Sequence, residues 1–292
     1  MKRKSLFLSC LKEMRVKSWI KNLFVVFPIV FSLELFQTDK LIKIILLTLA
    51  FCLISSAVYI FNDINDVEND RKHETKKLRP IAAGEISVSF AAALSVCLLV
   101  TGLLVACYVN RFGVFYIIAY IVINILYSKW LKKQPIIDCF CIAAGFVLRV
   151  MCGGTVVEGG VSDWMFLTIV SLSLFMAFGK RKGELTGYTG GDTRKVLDAY
   201  QMSFLDGSVF LCAGLSMVFY SLWSISQKSS LMYTVPIVLF IVIRYLFLVF
   251  KGQAEADPTN LLLSDRCLLA CCGLCALVIV AILYGSQIIA LF

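Results

Sequence analysis

Long apolar runs interrupted by short charged segments recur along the whole chain, and that pattern limits the fold more than any other feature of the sequence. The candidates are Trp19 to Phe36, Leu41 to Phe61, Val88 to Tyr108, Val114 to Tyr127, Ile136 to Met151, Trp164 to Phe178, Phe204 to Ile225, Leu231 to Phe250 and Cys267 to Phe292. Each is continuously apolar and does not alternate, so helices are expected and a membrane barrel is not. About 20 residues cross a bilayer, and nine such runs fit in 292 residues, 60% of which are apolar. The fold class is therefore all-α, a polytopic membrane protein of about nine transmembrane helices. A charged fraction of 16% argues against a soluble enzyme and against disorder.

The formal charge of +9 is unevenly placed. Of the 28 Lys and Arg, 22 lie on one side of nine crossings: before or at the start of the first run, from Arg71 to Arg79, from Lys129 to Lys133, from Lys180 to Lys195, and at Lys251 and Arg266. The other side has Lys40, Lys43, Arg111 and Lys228, while Arg149 and Arg244 fall inside runs. Positive residues favour the cytoplasm, so the N-terminus and the charged loops are expected there and the C-terminus outside. A single transmembrane domain over residues 1–292 is expected, with a basic cytoplasmic segment at residues 1–18. The first run lacks a small-residue cleavage site and reads as a retained anchor. The 12 cysteines lie mostly within runs and read as small apolar residues, without disulfides.

The same loops contain most of the acids. If the second helix continues beyond Phe61, Asn62, Asp66 and Asp70 repeat every four residues along one face, with Asp63 beside them. Stacked carboxylates repel unless a hard cation lies between them, and Mg²⁺ commonly combines one or two carboxylates with phosphate oxygens. Lys76, Lys77 and Arg79 follow closely enough to hold those phosphates. A solvated loop that only marks topology is the plainer reading. His73, the single histidine, reads as a loop residue.

Asn62-Asp63-x-x-Asp66-x-x-x-Asp70 followed by Arg79-Pro80-Ile81-Ala82-Ala83-Gly84 resembles the first signature of the UbiA superfamily of intramembrane prenyltransferases. The resemblance implies a UbiA-like bundle with a cavity that faces the cytoplasm, and Mg²⁺ held by Asn62, Asp66 and Asp70 against a diphosphate. Prenyl-transferring members usually have two aspartates four apart after the sixth span. Here that segment reads Gly179-Lys180-Arg181-Lys182-Gly183-Glu184, which is similar instead to the branch that makes polyprenyl-phosphoribose. Tyr127-Ser128-Lys129 with Leu131-Lys132, Gly145 to Arg149 with Gly153-Gly154, Arg244-Tyr245, and Asp257-Pro258 with Asp265-Arg266 agree with that branch.

What the branch implies is a phosphoribosyltransferase of cell-wall precursor synthesis, in the plasma membrane of a bacterium. The donor would be 5-phosphoribosyl 1-diphosphate and the acceptor a polyprenyl phosphate such as decaprenyl phosphate. Lipid phosphate oxygen attacks ribose C1 and diphosphate leaves; the attacking phosphate is already ionised, so no strong base is needed. Asp66, Asp70, Lys76 and Arg79 are the expected catalytic residues. Lys77, Tyr127, Lys129, Lys132, Arg149, Lys180, Arg181, Glu184, Tyr188 and Arg244 are the expected substrate-binding residues. For the lysines and Arg181 the competing reading is topology alone, and for Tyr127, Tyr188 and Tyr200 it is an interfacial belt. Arg149 lies eleven residues after Asp138, within roughly 20° of the same helix face, so both are expected to line one cavity without pairing directly; Arg244 is expected to line it too, and for the two arginines a buried structural ion pair is the alternative. Asp265 either closes that cavity or caps the last helix. The bilayer is the expected environment and no nucleic acid is expected; a homo-oligomer is left open. Two other functions remain open: a prenyltransferase acting on prenyl diphosphate and an aromatic or lipid acceptor, and a transporter or lipid flippase.

Overall fold

The computed structural model describes residues 6–72, 76–186, 196–251, 261 and 264–289. Tyr188, His73, Asp257 and Pro258 lie outside them. Among the described residues there is only helix and connecting turn, and eight helices are long and apolar enough to cross a membrane. In chain order the long helices are α3 (Thr38–Asn65), α5 (Val88–Val109), α6 (Arg111–Lys129), α7 (Ile137–Gly154), α8 (Asp163–Thr186), α9 (Met202–Gln227), α10 (Val235–Phe250) and α11 (Arg266–Ile289). Three shorter helices precede or join them: α1 (Leu6–Glu13), α2 (Phe27–Phe31) and α4 (Val67–Lys72).

The first apolar run departs from the expected single span. Val16–Val25 is a 3₁₀ stretch, α2 follows, and Leu33 leaves the helical region at φ 64°. Pro28 removes one backbone donor from this run, and the backbone of Val25 lies against Gly153, where any Cβ would collide with the Val25 carbonyl oxygen. The run still travels as far as a span does. Arg15 bonds Asp63 near one end of α3, whereas Gln37 precedes the other end, about 39 Å away at 1.5 Å per residue.

The chain divides into two compact units. The first comprises residues 1–29, 37–128 and 148–158, the second residues 30–36, 129–147 and 159–292. In the first, α3 and α5 pack closely because Gly102 admits Ile54; a Cβ there would come within 2.6 Å of the Ile54 side chain. The surrounding core includes Leu47, Phe51, Ile54, Ile117 and Tyr120. In the second, Phe175, Phe178, Leu205, Val209, Tyr245 and Leu248 pack α8, α9 and α10 together. Elsewhere large apolar side chains face outward, as Leu104 and Phe112 do, which is stable in hydrocarbon and not in water.

Helix starts follow local chemistry. Ser87 Oγ accepts from the Phe90 N–H at the start of α5, and Asp265 Oδ1 accepts from the Leu268 N–H at the start of α11.

Candidate functional site

The first unit has a charged cluster at the end of α3. That helix stops at Asn65, but the four-residue register survives the break: the Asp66 N–H donates to the Asn62 carbonyl at 3.0 Å and the Asp70 N–H to the Asp66 carbonyl at 2.8 Å. Asn62, Asp66 and Asp70 thus keep the spacing expected of continuous helix, now across the junction of α3 and α4. Asn62 Oδ1 accepts from Ser128 Oγ at 2.6 Å, which orients the amide.

Arg79 joins the cluster from the following loop. Its Nη1 donates to Asp70 Oδ2 at 2.6 Å and to Asp63 Oδ1 at 2.9 Å. That loop turns at Gly84, whose φ of 73° suits a residue without a Cβ. Lys76 and Lys77 form the one-turn 3₁₀ segment Lys76–Leu78 just before it.

The N-terminal segment contributes groups that the sequence pattern did not single out. Arg15 donates through Nη2 to both Asp63 oxygens, at 2.7 and 2.8 Å, and lies 4.9 Å over the Tyr59 ring. It does so from a left-handed backbone, φ 51°, which is uncommon for a bulky residue. Glu13 is 1% exposed, and its carboxyl lies beside that of Asp63. Burial first, and then the adjacent Asp63 carboxylate, push Glu13 up to about 7. Ser9 Oγ donates to Glu85 at 2.7 Å and Lys12 Nζ to the Leu78 carbonyl at 2.7 Å, fastening α1 along the same loop. Arg15 lies within the basic stretch that the sequence presents as a topology signal, so its spatial role had no separate mark.

Arg149 also belongs to the first unit. It is 4% exposed, donates to Asn22 Oδ1 at 2.7 Å and to Tyr120 Oη at 3.1 Å, and stacks over the Tyr120 ring at 4.6 Å. A cation inside a span is thereby surrounded by polar and aromatic partners.

The second unit has its own cluster at the end of α8. Arg181, 1% exposed, donates through Nε to Asp138 on α7, itself 0% exposed, and through Nη1 to Glu184. Tyr200 Oη accepts from the Ile136 N–H and donates to Asp138 Oδ1, both at 2.6 Å. Burial, reinforced by that bond to Asp138, raises the Tyr200 hydroxyl above its usual value. Glu184 retains 19% side-chain exposure and is the member of this triad that a ligand can reach. Lys182 pairs with Asp206 and lies 3.3 Å over the Phe250 ring. Asp138, expected from the sequence to line a cavity with Arg149, is instead fully buried between Arg181 and Tyr200.

Of the other predicted residues, Lys77 and Lys129 are exposed, and Tyr127, Lys132 and Lys180 are half-buried. Lys129 lies 6.0 Å from the Trp130 ring. Arg244 donates to Asp265 Oδ2 at 2.7 Å, and this bond, with the N–H of Leu268, holds Asp265 below the usual carboxylate range. Asp265 is thus a helix cap that also holds Arg244.

Among the described residues no group of three or more His, Cys, Asp or Glu side chains is arranged to hold a metal unaided. The first cluster nevertheless offers a hard oxygen set, two carboxylates and an amide oxygen at helical spacing. That fits an ion that takes its remaining ligands from phosphate and water.

The model of the UbiA prenyltransferase family matches residues 23–264. The chain is 32% identical to a decaprenyl-phosphate phosphoribosyltransferase of Mycolicibacterium smegmatis, over 91% of this chain and 89% of that one. It is 33% identical to the enzyme of the same name from Corynebacterium glutamicum, covering 88% and 81% of the two chains. Among solved structures, a UbiA homolog from Archaeoglobus fulgidus, bound to GPP and Mg²⁺, superposes with a TM-score of 0.71 at 16% identity, covering 95% of this chain and 98% of that one. Taken with the eight apolar helices and the acid register at Asn62 to Asp70, these matches lead to one assignment: the chain belongs to the UbiA prenyltransferase family.

Proposed function

We propose that this integral membrane enzyme transfers phosphoribose from 5-phosphoribosyl 1-diphosphate to a polyprenyl phosphate, releasing diphosphate, at the cytoplasmic face of the plasma membrane. Two relatives, each aligned over more than four fifths of both chains, bear the name of that activity. The observation that favours phosphoribosyl over prenyl transfer is the second cluster. Its two accessible carboxylates are each tied to a cation, Glu184 to the buried Arg181 and Asp206 to Lys182, where a donor gripped by two metal sites would call for a carboxylate pair free to take a metal.

Negative charge grows on the departing diphosphate as the lipid phosphate oxygen bonds to ribose C1. Asn62, Asp66 and Asp70 would hold Mg²⁺, which when bound supplies Lewis-acid stabilisation of that charge. Arg79 is already fixed between Asp63 and Asp70, so its guanidinium meets the diphosphate without reorganising. Lys76 and Lys77 add positive charge to the outer oxygens. The lipid phosphate attacks as the anion, and no proton need move in the bond-making step. Arg149, Lys129, Lys132, Lys180 and Arg244 are assigned to anionic groups of the two substrates, Tyr127 and Tyr188 to their edges, and Glu184 to the donor sugar.

Purified protein given labelled donor, polyprenyl phosphate and Mg²⁺ is expected to form a labelled lipid. Turnover of prenyl diphosphate in its place would refute this reading. Asp66→Asn is expected to lower kcat on the order of 100-fold while leaving the melting temperature unchanged. Near-normal turnover would remove the metal role from this register.

A further inference from the structure

The second cluster contains a hydrogen-bonded chain longer than ion pairing requires. It begins at Ile136, whose φ of 68° is a genuine outlier for a β-branched residue. That conformation directs the Ile136 N–H to Tyr200 Oη, which donates in turn to Asp138 Oδ1. Asp138 uses its other oxygen on Arg181 Nε, and Arg181 passes Nη1 to Glu184. Strain of this kind persists only where the surroundings hold it, and it concentrates at functional positions.

Exposure falls in an informative order. Asp138 and Arg181 are fully enclosed, Tyr200 is 6% exposed, and Glu184 is accessible. A structural ion pair would be complete with Asp138 and Arg181. The chain goes on to a carboxylate at the edge, and the tyrosine fixes the far end of the same acid. Arg181 also offsets one negative charge, which disfavours a second divalent ion at Glu184 and leaves an acceptor suited to neutral hydroxyl donors.

We propose that Tyr200, acting through Asp138 and Arg181, is a positioning residue that aims Glu184 at the ribose hydroxyls of the donor. This rests on the phosphoribosyl reading above and deepens it: Tyr200 governs recognition of the sugar and leaves the lipid acceptor alone. Glu184 accepts hydrogen bonds from the sugar diol, and the relay keeps its oxygens in one orientation before the donor arrives.

The test is steady-state kinetics on the full chain, varying phosphoribosyl diphosphate and polyprenyl phosphate in turn, for wild type, Tyr200→Phe, Glu184→Gln and the double variant. Tyr200→Phe is expected to raise the donor KM about fivefold to tenfold, one hydrogen bond's worth, with kcat within about twofold and the lipid KM unmoved. The double variant is expected to be no worse than Glu184→Gln alone, because both changes cut one chain. Asp138→Asn, which keeps the shape of the acid but loses its grip on Arg181, is expected to shift the donor KM in the same direction and provides a second reading should Tyr200→Phe fold poorly. An unmoved donor KM in these variants, equal shifts for donor and lipid, or full additivity would overturn the relay. No transfer by the wild type at all would instead refute the reaction itself.

Discussion

A carboxylic acid buried beside another carboxylate holds its proton, and Glu13 is in that position next to Asp63. Its value of about 7 lies above the ordinary 4.5, so between those limits the folded chain binds more protons than the unfolded one. The sign follows directly: the stabilising contribution is complete below about pH 4.5 and is lost as pH rises through 7. Glu13→Gln, which imitates the protonated acid, is expected to flatten the fall in melting temperature between pH 5.5 and pH 8 and to leave the protein more stable at the upper end. A pH dependence as steep as the wild type's would assign the effect to other groups. The neighbouring Asp70 and Arg79 were readable in the sequence because a spacing of four and a nearby cation have a direct physical meaning. Glu13 and Arg15 were not, since their significance arises only when the N-terminal segment lies against the end of α3, 48 residues away in the case of Arg15 and Asp63.

Among the elements, the apolar runs translated into helices wherever the backbone was unobstructed. The fourth run, expected over Val114 to Tyr127, extends as α6 from Arg111 to Lys129. The first departs from one continuous α-helix, which periodicity and hydropathy could not foretell because they say nothing about a neighbour's backbone. Gly153 on α7 brings Val25 so close that a side chain has no room, and the 3₁₀ geometry of Val16–Val25 is fitted to that approach. Gly153→Ala therefore meets main chain, which cannot turn aside as a rotamer can. It is expected to destabilise the protein by about 1–3 kcal/mol, read as a lower melting temperature in detergent. An unchanged melting temperature would mean that the contact yields easily. Gly102 forms the milder case, since the nearest atom facing it belongs to the Ile54 side chain, at 2.6 Å, and the nearest main-chain atom, the Ala50 carbonyl oxygen, stays at 3.1 Å.

For the whole molecule, eight apolar helices and the family match establish an integral membrane protein, while its orientation rests on charge. The cytoplasmic assignment of the acid-rich loop makes a direct prediction. Alkaline phosphatase fused after Arg111 is expected to be active outside the cell, and the same reporter fused after Lys129 inactive. The reverse pattern would move the Asn62 to Asp70 register away from cytoplasmic phosphoribosyl diphosphate and with it the proposed reaction. What the sequence by itself determined was the all-helical membrane class and the acid register, because hydrophobic length and helical periodicity are local properties that a linear string records. The partners of those acids were decided by tertiary structure alone. Arg15 on Asp63, Arg79 across Asp63 and Asp70, and Tyr200 through Asp138 to Arg181 exist only where folding brings distant segments within hydrogen-bond reach. A buried charge must find such a partner because the apolar surroundings leave it no water to bond.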